Sequence, residues 1–135
     1  MDLTRSLDVS AKGMAAQGTR LRVIAENIAN SATTGSAPGA DPYRRKTVTF
    51  QNTMDHVTGE AAVSVKKIGR DDSAFPRKYD PSSPAADAAG YVKTPNVSSF
   101  VEIMDMKEAQ RSYSANLAVM ETTRGMMTRT VDILR

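Results

Sequence analysis

The 135-residue sequence contains no cysteine, no tryptophan and a single histidine. Without thiols there is no disulfide framework, no thiolate nucleophile and no Cys-ligated zinc or iron–sulfur centre. His56 stands beside Asp55 in a polar stretch and reads as a surface-loop residue rather than a general base. Aromatic residues make up only 5% of the chain and no segment is a basic block, so a nucleic-acid partner is not expected. No apolar run approaches the roughly 20 residues that span a bilayer, so no transmembrane segment is expected. Met1-Asp2-Leu3-Thr4-Arg5-Ser6 leads into a polar helical pattern, and the expectation is a chain without a cleaved signal peptide. Gly35 and Gly39 are not followed by Gly-Lys-Ser/Thr and make no phosphate loop. Asp71-Asp72 is the only acidic doublet, and adjacent acids in a polar loop are usually just solvated. The expectation is therefore no cofactor, no metal and no catalysis.

What is present is long heptad patterning at both ends. In residues 1–30, Leu7, Met14, Leu21 and Ile28 recur every seventh position, with Leu3 and Ile24 flanking and the small residues Ala11, Gly18 and Ala25 beside them. In residues 96–135, Met106, Tyr113, Met120, Met127 and Leu134 keep the same period. Ile103, Leu117 and Val131 fill the position three residues earlier, which Gln110 and Arg124 interrupt. The spacing predicts two long helices, the second capped by Asn96 or by a Ser99-Phe100-Val101-Glu102 capping box.

Residues 31–95 differ in kind. Gly35, Pro38, Gly39 and Asp41-Pro42 mark a loop, and the alternation in Thr47–Phe50 and Ala62–Val65 predicts two short strands. A third strand is expected over Phe75–Tyr79 and a fourth over Tyr91–Lys93, separated by a rigid Asp80–Pro84 turn. Net charge is +3, spread as four basic and three acidic residues in 1–30, nine and seven in 31–95, and five and five in 96–135. Arg44-Arg45-Lys46 is the one basic cluster and reads slightly better as a subunit contact than as a solvated patch.

Length makes this an argument about function. Helices of roughly 28 and 38 residues span about 42 and 57 Å at 1.5 Å per residue. A compact domain of this size has a radius of gyration of about 14 Å. The expected fold is mainly α with a small β region. The terminal helices, 1–30 and 96–135, form an elongated discontinuous coiled-coil core, and 31–95 is a short central β/loop domain. Two helices that pair only with each other leave apolar seam uncovered, so neighbouring subunits are expected to cover it.

Two motifs carry a resemblance. Ala25-Glu26-Asn27-Ile28-Ala29-Asn30 closes the first helix ahead of a Thr/Gly loop and Tyr43-Arg44-Arg45. Ala85–Val97, containing Gly90-Tyr91-Val92-Lys93-Thr94-Pro95-Asn96, precedes Glu102, Met106, Ala109, Arg111-Ser112-Tyr113 and Ala115-Asn116. Together they resemble the flagellar axial proteins, the family of rod, hook and hook–filament junction subunits, and in a chain this short the proximal-rod members. The resemblance implies export, unfolded, through the flagellar type III apparatus. It implies helical polymerisation in the periplasm with the terminal helices coiled around the export channel. The partners it implies are copies of the chain, other rod subunits and the hook-basal-body adaptor.

The assembly residues expected on these grounds are Leu7, Met14, Leu21, Ile24 and Ile28 in the first helix, with Asn27 and Asn30 bonding backbone groups at its end. In the second they are Ile103, Met106, Tyr113, Leu117, Met120, Met127, Val131 and Leu134, with Asn116 able to bond across an interface. The competing readings are another rod subunit of the same family, which the Gly90–Val97 stretch argues against, and a soluble coiled-coil adaptor with a preference for acidic partners.

Overall fold

The computed structural model describes residues 3–54, 59 and 61–133. The elements are α1 (Leu3–Ala29), β1 (Lys46–Met54), β2 (Ala61–Arg70), β3 (Arg77–Tyr79), β4 (Tyr91–Lys93) and α2 (Ser99–Ile133). The strands form two separate two-stranded sheets, β1-β2 and β3-β4. The fold is mainly helical with a small β region, as the periodicity predicts. The chain divides into two compact units: Met1–Leu21, Val48–Lys67 and Lys107–Arg135 form the first, and Arg22–Thr47 and Ile68–Met106 the second.

The first unit buries only small side chains. Ser10 and Ala16 of α1, Ala62 of β2, and Ala109 and Thr123 of α2 are its buried residues among those described. Here the two helices run antiparallel. A Cβ added at Gly13 would stand 2.9 Å from the Asn116 side-chain nitrogen, and Arg20 reaches Glu108 at 3.4 Å. Glycine at 13 is what lets Asn116 approach so closely. Apolar transfer of alanine-sized groups is worth far less than burying a leucine or methionine, so this contact is geometrically close but contributes little hydrophobic stabilisation.

The second unit has larger buried residues, Val23 and Ile24 from α1 and Val92 from β4, with Ala85 beside them. The predicted strands are present, and β1 and β2 extend well beyond the alternating cores Thr47–Phe50 and Ala62–Val65. The Asp71 amide donates to the Arg45 carbonyl at 2.9 Å, and Thr47 Oγ1 lies against Gly69, so the ribbon is antiparallel here. Its far end, in the first unit, carries a Thr53–Ser64 hydroxyl pair at 2.7 Å. Pairing satisfies the backbone whatever the side chains are, which is how Gln51 and Asn52 come to lie in a strand.

The expected start of α2 needs correction. Asn96 does not cap the helix: its Oδ1 accepts the Arg45 amide at 2.8 Å, and its Nδ2 donates to the Asp71 carbonyl and to Ser73 Oγ. Nor does Ser99–Glu102 form a capping box, because the Glu102 carboxylate turns inward to Arg45 and Asn27. The Glu102 amide instead bonds the Ser98 carbonyl at 3.0 Å. A buried ion pair is worth more to Glu102 than a solvent-exposed helix-end contact.

Between β3 and β4 the chain turns back through a hydrogen-bonded loop. Asp87 Oδ1 accepts the Ala89 and Tyr91 amides, both at 2.9 Å, and these bonds hold its carboxyl below the ordinary aspartate value. Gly90 closes the turn at φ 82°, and a Cβ there would meet the Tyr79 ring at 2.9 Å and Pro81 at 3.3 Å. Both the left-handed backbone and the Tyr79 ring require glycine. Gly90→Ala is expected to cost about 1–3 kcal/mol, read as a lowered urea midpoint; an unchanged midpoint would mean that the turn relaxes without penalty.

Candidate assembly site

In the second unit, polar residues do what large apolar residues do in most cores. Glu102 is 0% exposed and Asn27 1% exposed. Arg45 Nε donates to Glu102 Oε1 at 2.6 Å, and Asn27 Nδ2 donates to Glu102 Oε2 at 3.1 Å. Asn27 also spans the start of β1, donating to the Lys46 carbonyl and accepting the Lys46 amide, both at 2.9 Å. The Tyr43 hydroxyl donates to Asn27 Oδ1 at 2.9 Å, and burial pushes its ionisation above the ordinary tyrosine value. One cluster thereby joins the end of α1, residues 43–46 and the start of α2. Every member has a partner, the condition under which a buried polar network rigidifies rather than destabilises.

All three residues of the basic triplet make contacts inside the chain. Arg45 reaches Asp105 at 3.6 Å and Asp71 at 3.8 Å as well as Glu102. Lys46 Nζ pairs with Glu26 at 2.7 Å. Arg44 donates to the Asp71 and Ser73 carbonyls and stacks 4.2 Å from the Phe75 ring centre. Arg45 and Lys46 thus meet acids of the chain, and Arg44 meets carbonyls and an aromatic ring. Asp71, the first acid of the doublet, accepts the Ser73 amide, which lowers its ionisation.

Asn27 thus bonds backbone of a different segment, not of its own helix end. Asn30 behaves as expected, its Nδ2 donating to the Glu26 carbonyl at 2.8 Å in the last turn of α1. Leu7, Met14, Leu21 and Ile28 are half-buried and Ile24 is buried. On α2, Met106, Asn116, Met120 and Met127 are half-buried, while Ile103, Tyr113, Leu117 and Val131 are exposed. The helix-to-helix contacts within the chain fall on another face, marked by Glu102, Ala109, Asn116 and Thr123, each seven apart. The position three before the methionine register, read from the sequence as its companion, therefore stays uncovered, together with Phe100, Met104, Val119, Met126 and Ile133. Leu134 and the Asp55-His56 pair lie outside the described residues.

Sequence reasoning missed the roles of Glu102, Arg45, Tyr43 and Asn96. The available signal was an acid at position 102 interrupting an otherwise apolar helix start, with a single arginine-rich segment to pair it. Among the described residues no group of acids and histidines is placed to hold a metal ion, and no helix is long and apolar enough to cross a membrane.

Comparison with known proteins agrees with these motifs. Residues 7–35 match the family described as "Flagella basal body rod protein", and residues 88–133 match "Flagellar basal body rod FlgEFG protein C-terminal". The chain is 51% identical over 133 residues to the flagellar basal-body rod protein FlgC of Agrobacterium fabrum, covering 98% of this chain and 96% of that one. It is 41% identical to the protein of the same name from Salmonella typhimurium, with 98% of each covered. It is 38% identical to that of Bacillus subtilis, covering 98% and 99%.

Two measurements probe the cluster and the paired carboxylates elsewhere in the second unit. Glu102→Gln removes the charge that Arg45 faces but leaves Asp71 and Asp105. The expected loss is about 2–3 kcal/mol in urea unfolding, below the full cost of stranding a buried charge. An unchanged midpoint would show that the Glu102 charge is dispensable. The second is pH. Glu26 is held below 4.5 by the hydrogen bond from Lys46, and Asp41, Asp71 and Asp87 below 3.8 by Lys93, Ser73 and Tyr91. Folded values below unfolded ones give stability that is present above those ordinary values and lost as pH falls through the lowered ones. Lys46, raised above 10.5 mainly by the Glu26 hydrogen bond, contributes below 10.5 and loses its share as pH rises further. The unfolding midpoint is expected to be flat near neutrality and to fall on the acid side; a midpoint that rises on acidification would contradict the assignment.

Proposed function

The chain belongs to the FlgC family of flagellar basal-body rod proteins and is a structural subunit of the bacterial flagellar rod, and we propose that it polymerises helically through its two terminal helices. Residues 1–30 and 96–135 form a coiled-coil wall around the export channel, and 31–95 an outer layer. The subunit sits in the proximal rod, in the periplasm, after unfolded export through the flagellar type III apparatus without a cleaved signal. Its neighbours are copies of itself, other rod subunits and the hook-basal-body adaptor. The tube transmits torque by packing alone, so no catalytic group is required.

One observation supports this reading most directly. In the first unit the chain buries serine, alanine and threonine, while Leu117, Val119, Met126 and Val131 of α2 remain on the surface. At about 25 cal/mol per Å² of apolar surface, covering these side chains contributes more than the small-residue contact that holds the unit together. Tyr113, Leu117 and Val131 share one side of α2 at heptad-compatible spacing, the form a helix on a neighbouring subunit fits, while Val119 and Met126 lie on the opposite side. The half-buried Met106, Met120 and Met127 border that stripe, and a flexible thioether adapts to non-equivalent neighbours. The full-length coverage of the FlgC relatives favours this over a soluble adaptor or a different rod subunit.

Leu117→Asp separates assembly from folding, because Leu117 is already exposed in the single chain. The variant is expected to keep the wild-type circular dichroism and melting profile, yet to be missing from purified basal bodies and to leave cells non-motile. Normal incorporation would remove the α2 stripe from the interface.

A further inference from the structure

The β3–β4 ribbon carries a second exposed surface that the helical wall does not use. Its register pairs Arg77 with Lys93, Lys78 with Val92 and Tyr79 with Tyr91. Side chains alternate across a strand, so Arg77, Tyr79, Tyr91 and Lys93 share one face and Val92 points the other way into the core. Of the four tyrosines and three phenylalanines in the chain, two tyrosines are spent here on the surface. Tyr79 is 63% and Tyr91 44% exposed, with ring centres 5.3 Å apart in an edge-to-face arrangement. Gly90 keeps the space that the Tyr79 ring occupies, so the ring lies against the turn.

The two strands themselves carry charge of one sign. They hold Arg77, Lys78 and Lys93 and no acid. Lys93 is occupied by Asp41 at 2.9 Å. Arg77 influences Asp87 electrostatically but, among the described residues, has no hydrogen-bond or ion-pair partner. Arg77 and Lys93 stand directly opposite in the antiparallel pair, Lys93 held by Asp41 and Arg77 acting on Asp87 from outside hydrogen-bond range. Beside them Arg77, Lys93, Asp87 and Tyr91 border a hollow of about 30 Å³ with Gly39 and Ala85, enough for one small polar group. Tyrosine and arginine in one exposed patch are the composition of a protein-binding hot spot.

We infer that this face docks an acidic segment of a different basal-body protein, with a carboxylate on Arg77 and an apolar side chain against the two tyrosines. A second copy of the chain is the poorer occupant. Its net charge is +3, and although Asp72, Glu121 and Asp132 are exposed, Asp8 is already paired with Lys12, Asp41 with Lys93 and Glu108 with Arg20. The inference takes from the rod-subunit reading only the place where the partner is sought.

The test uses the full chain in flagellated cells, with Tyr79 replaced by the photo-crosslinker p-benzoylphenylalanine. After irradiation, basal bodies are purified and the adduct is mapped by mass spectrometry, with the same substitution at Tyr91 as a second position and thermal melting as the folding control. The expected adduct lies in an acidic stretch of a different protein. Arg77→Glu weakens it at least about tenfold, because like charges then face each other across the contact, whereas Lys66→Glu, a charge reversal on β2, does not. No adduct at either position, an adduct on a second copy or on a segment without acids, or an adduct indifferent to Arg77→Glu overturns the inference. Chain present in the basal bodies without the adduct overturns this surface alone; wild-type chain absent from basal bodies overturns the rod reading and the docking surface together.

Discussion

A single buried carboxylate organises the second unit. Glu102 has no contact with solvent, so its charge must be neutralised by protein, and Arg45 and Asn27 do so from two other segments. Removing such a charge from water costs several kcal/mol before any attraction is counted. The geometry that repays it has to be complete: Asn27 must hold both backbone groups of Lys46, and Tyr43 must fill the remaining lone pair of Asn27. The start of β1, the end of α1 and the first turn of α2 are thereby placed together. Asn96 extends the same logic outward by fixing the Arg45 amide and the Asp71–Ser73 loop.

The first unit follows the opposite principle. Its helices touch through small residues, and its large apolar side chains remain uncovered or half-covered. A soluble monomer gains nothing from that arrangement. A subunit whose final contacts are made by neighbours does, because the apolar area withheld from its own core is available to the interface. Polar specificity in one unit and withheld apolar surface in the other are complementary ways of building a part for an assembly. The β3–β4 face adds a small, cationic and aromatic contact, different in chemistry from the apolar stripe of α2.

The helices, the four strands and the family were legible in residues 1–135 because each rests on local information. Heptad spacing specifies a helix whatever it packs on, alternation specifies a strand, and the Asn27–Asn30 and Gly90–Asn96 motifs are contiguous. The polar cluster was not legible. Glu102 meets partners 57 and 75 positions away, and a capping box written in Ser99–Glu102 is locally just as plausible. The intrachain partners of the Arg44–Lys46 triplet were not legible for the same reason, since a basic run does not tell which distant acids and carbonyls face it.

The sequence by itself determined which segments are helical, which face of each is apolar, and that the chain belongs among axial proteins, because period and motif are properties of neighbouring residues. Only the tertiary structure decided which of those faces the chain uses for itself. It set the intrachain contact on the register of Glu102, Ala109, Asn116 and Thr123 instead of Ile103, Leu117 and Val131. It also put Arg77, Tyr79, Tyr91 and Lys93 on one exposed surface. Both outcomes depend on how distant segments meet, and that is set by the cost of burying a charge without its partner, which no local pattern records.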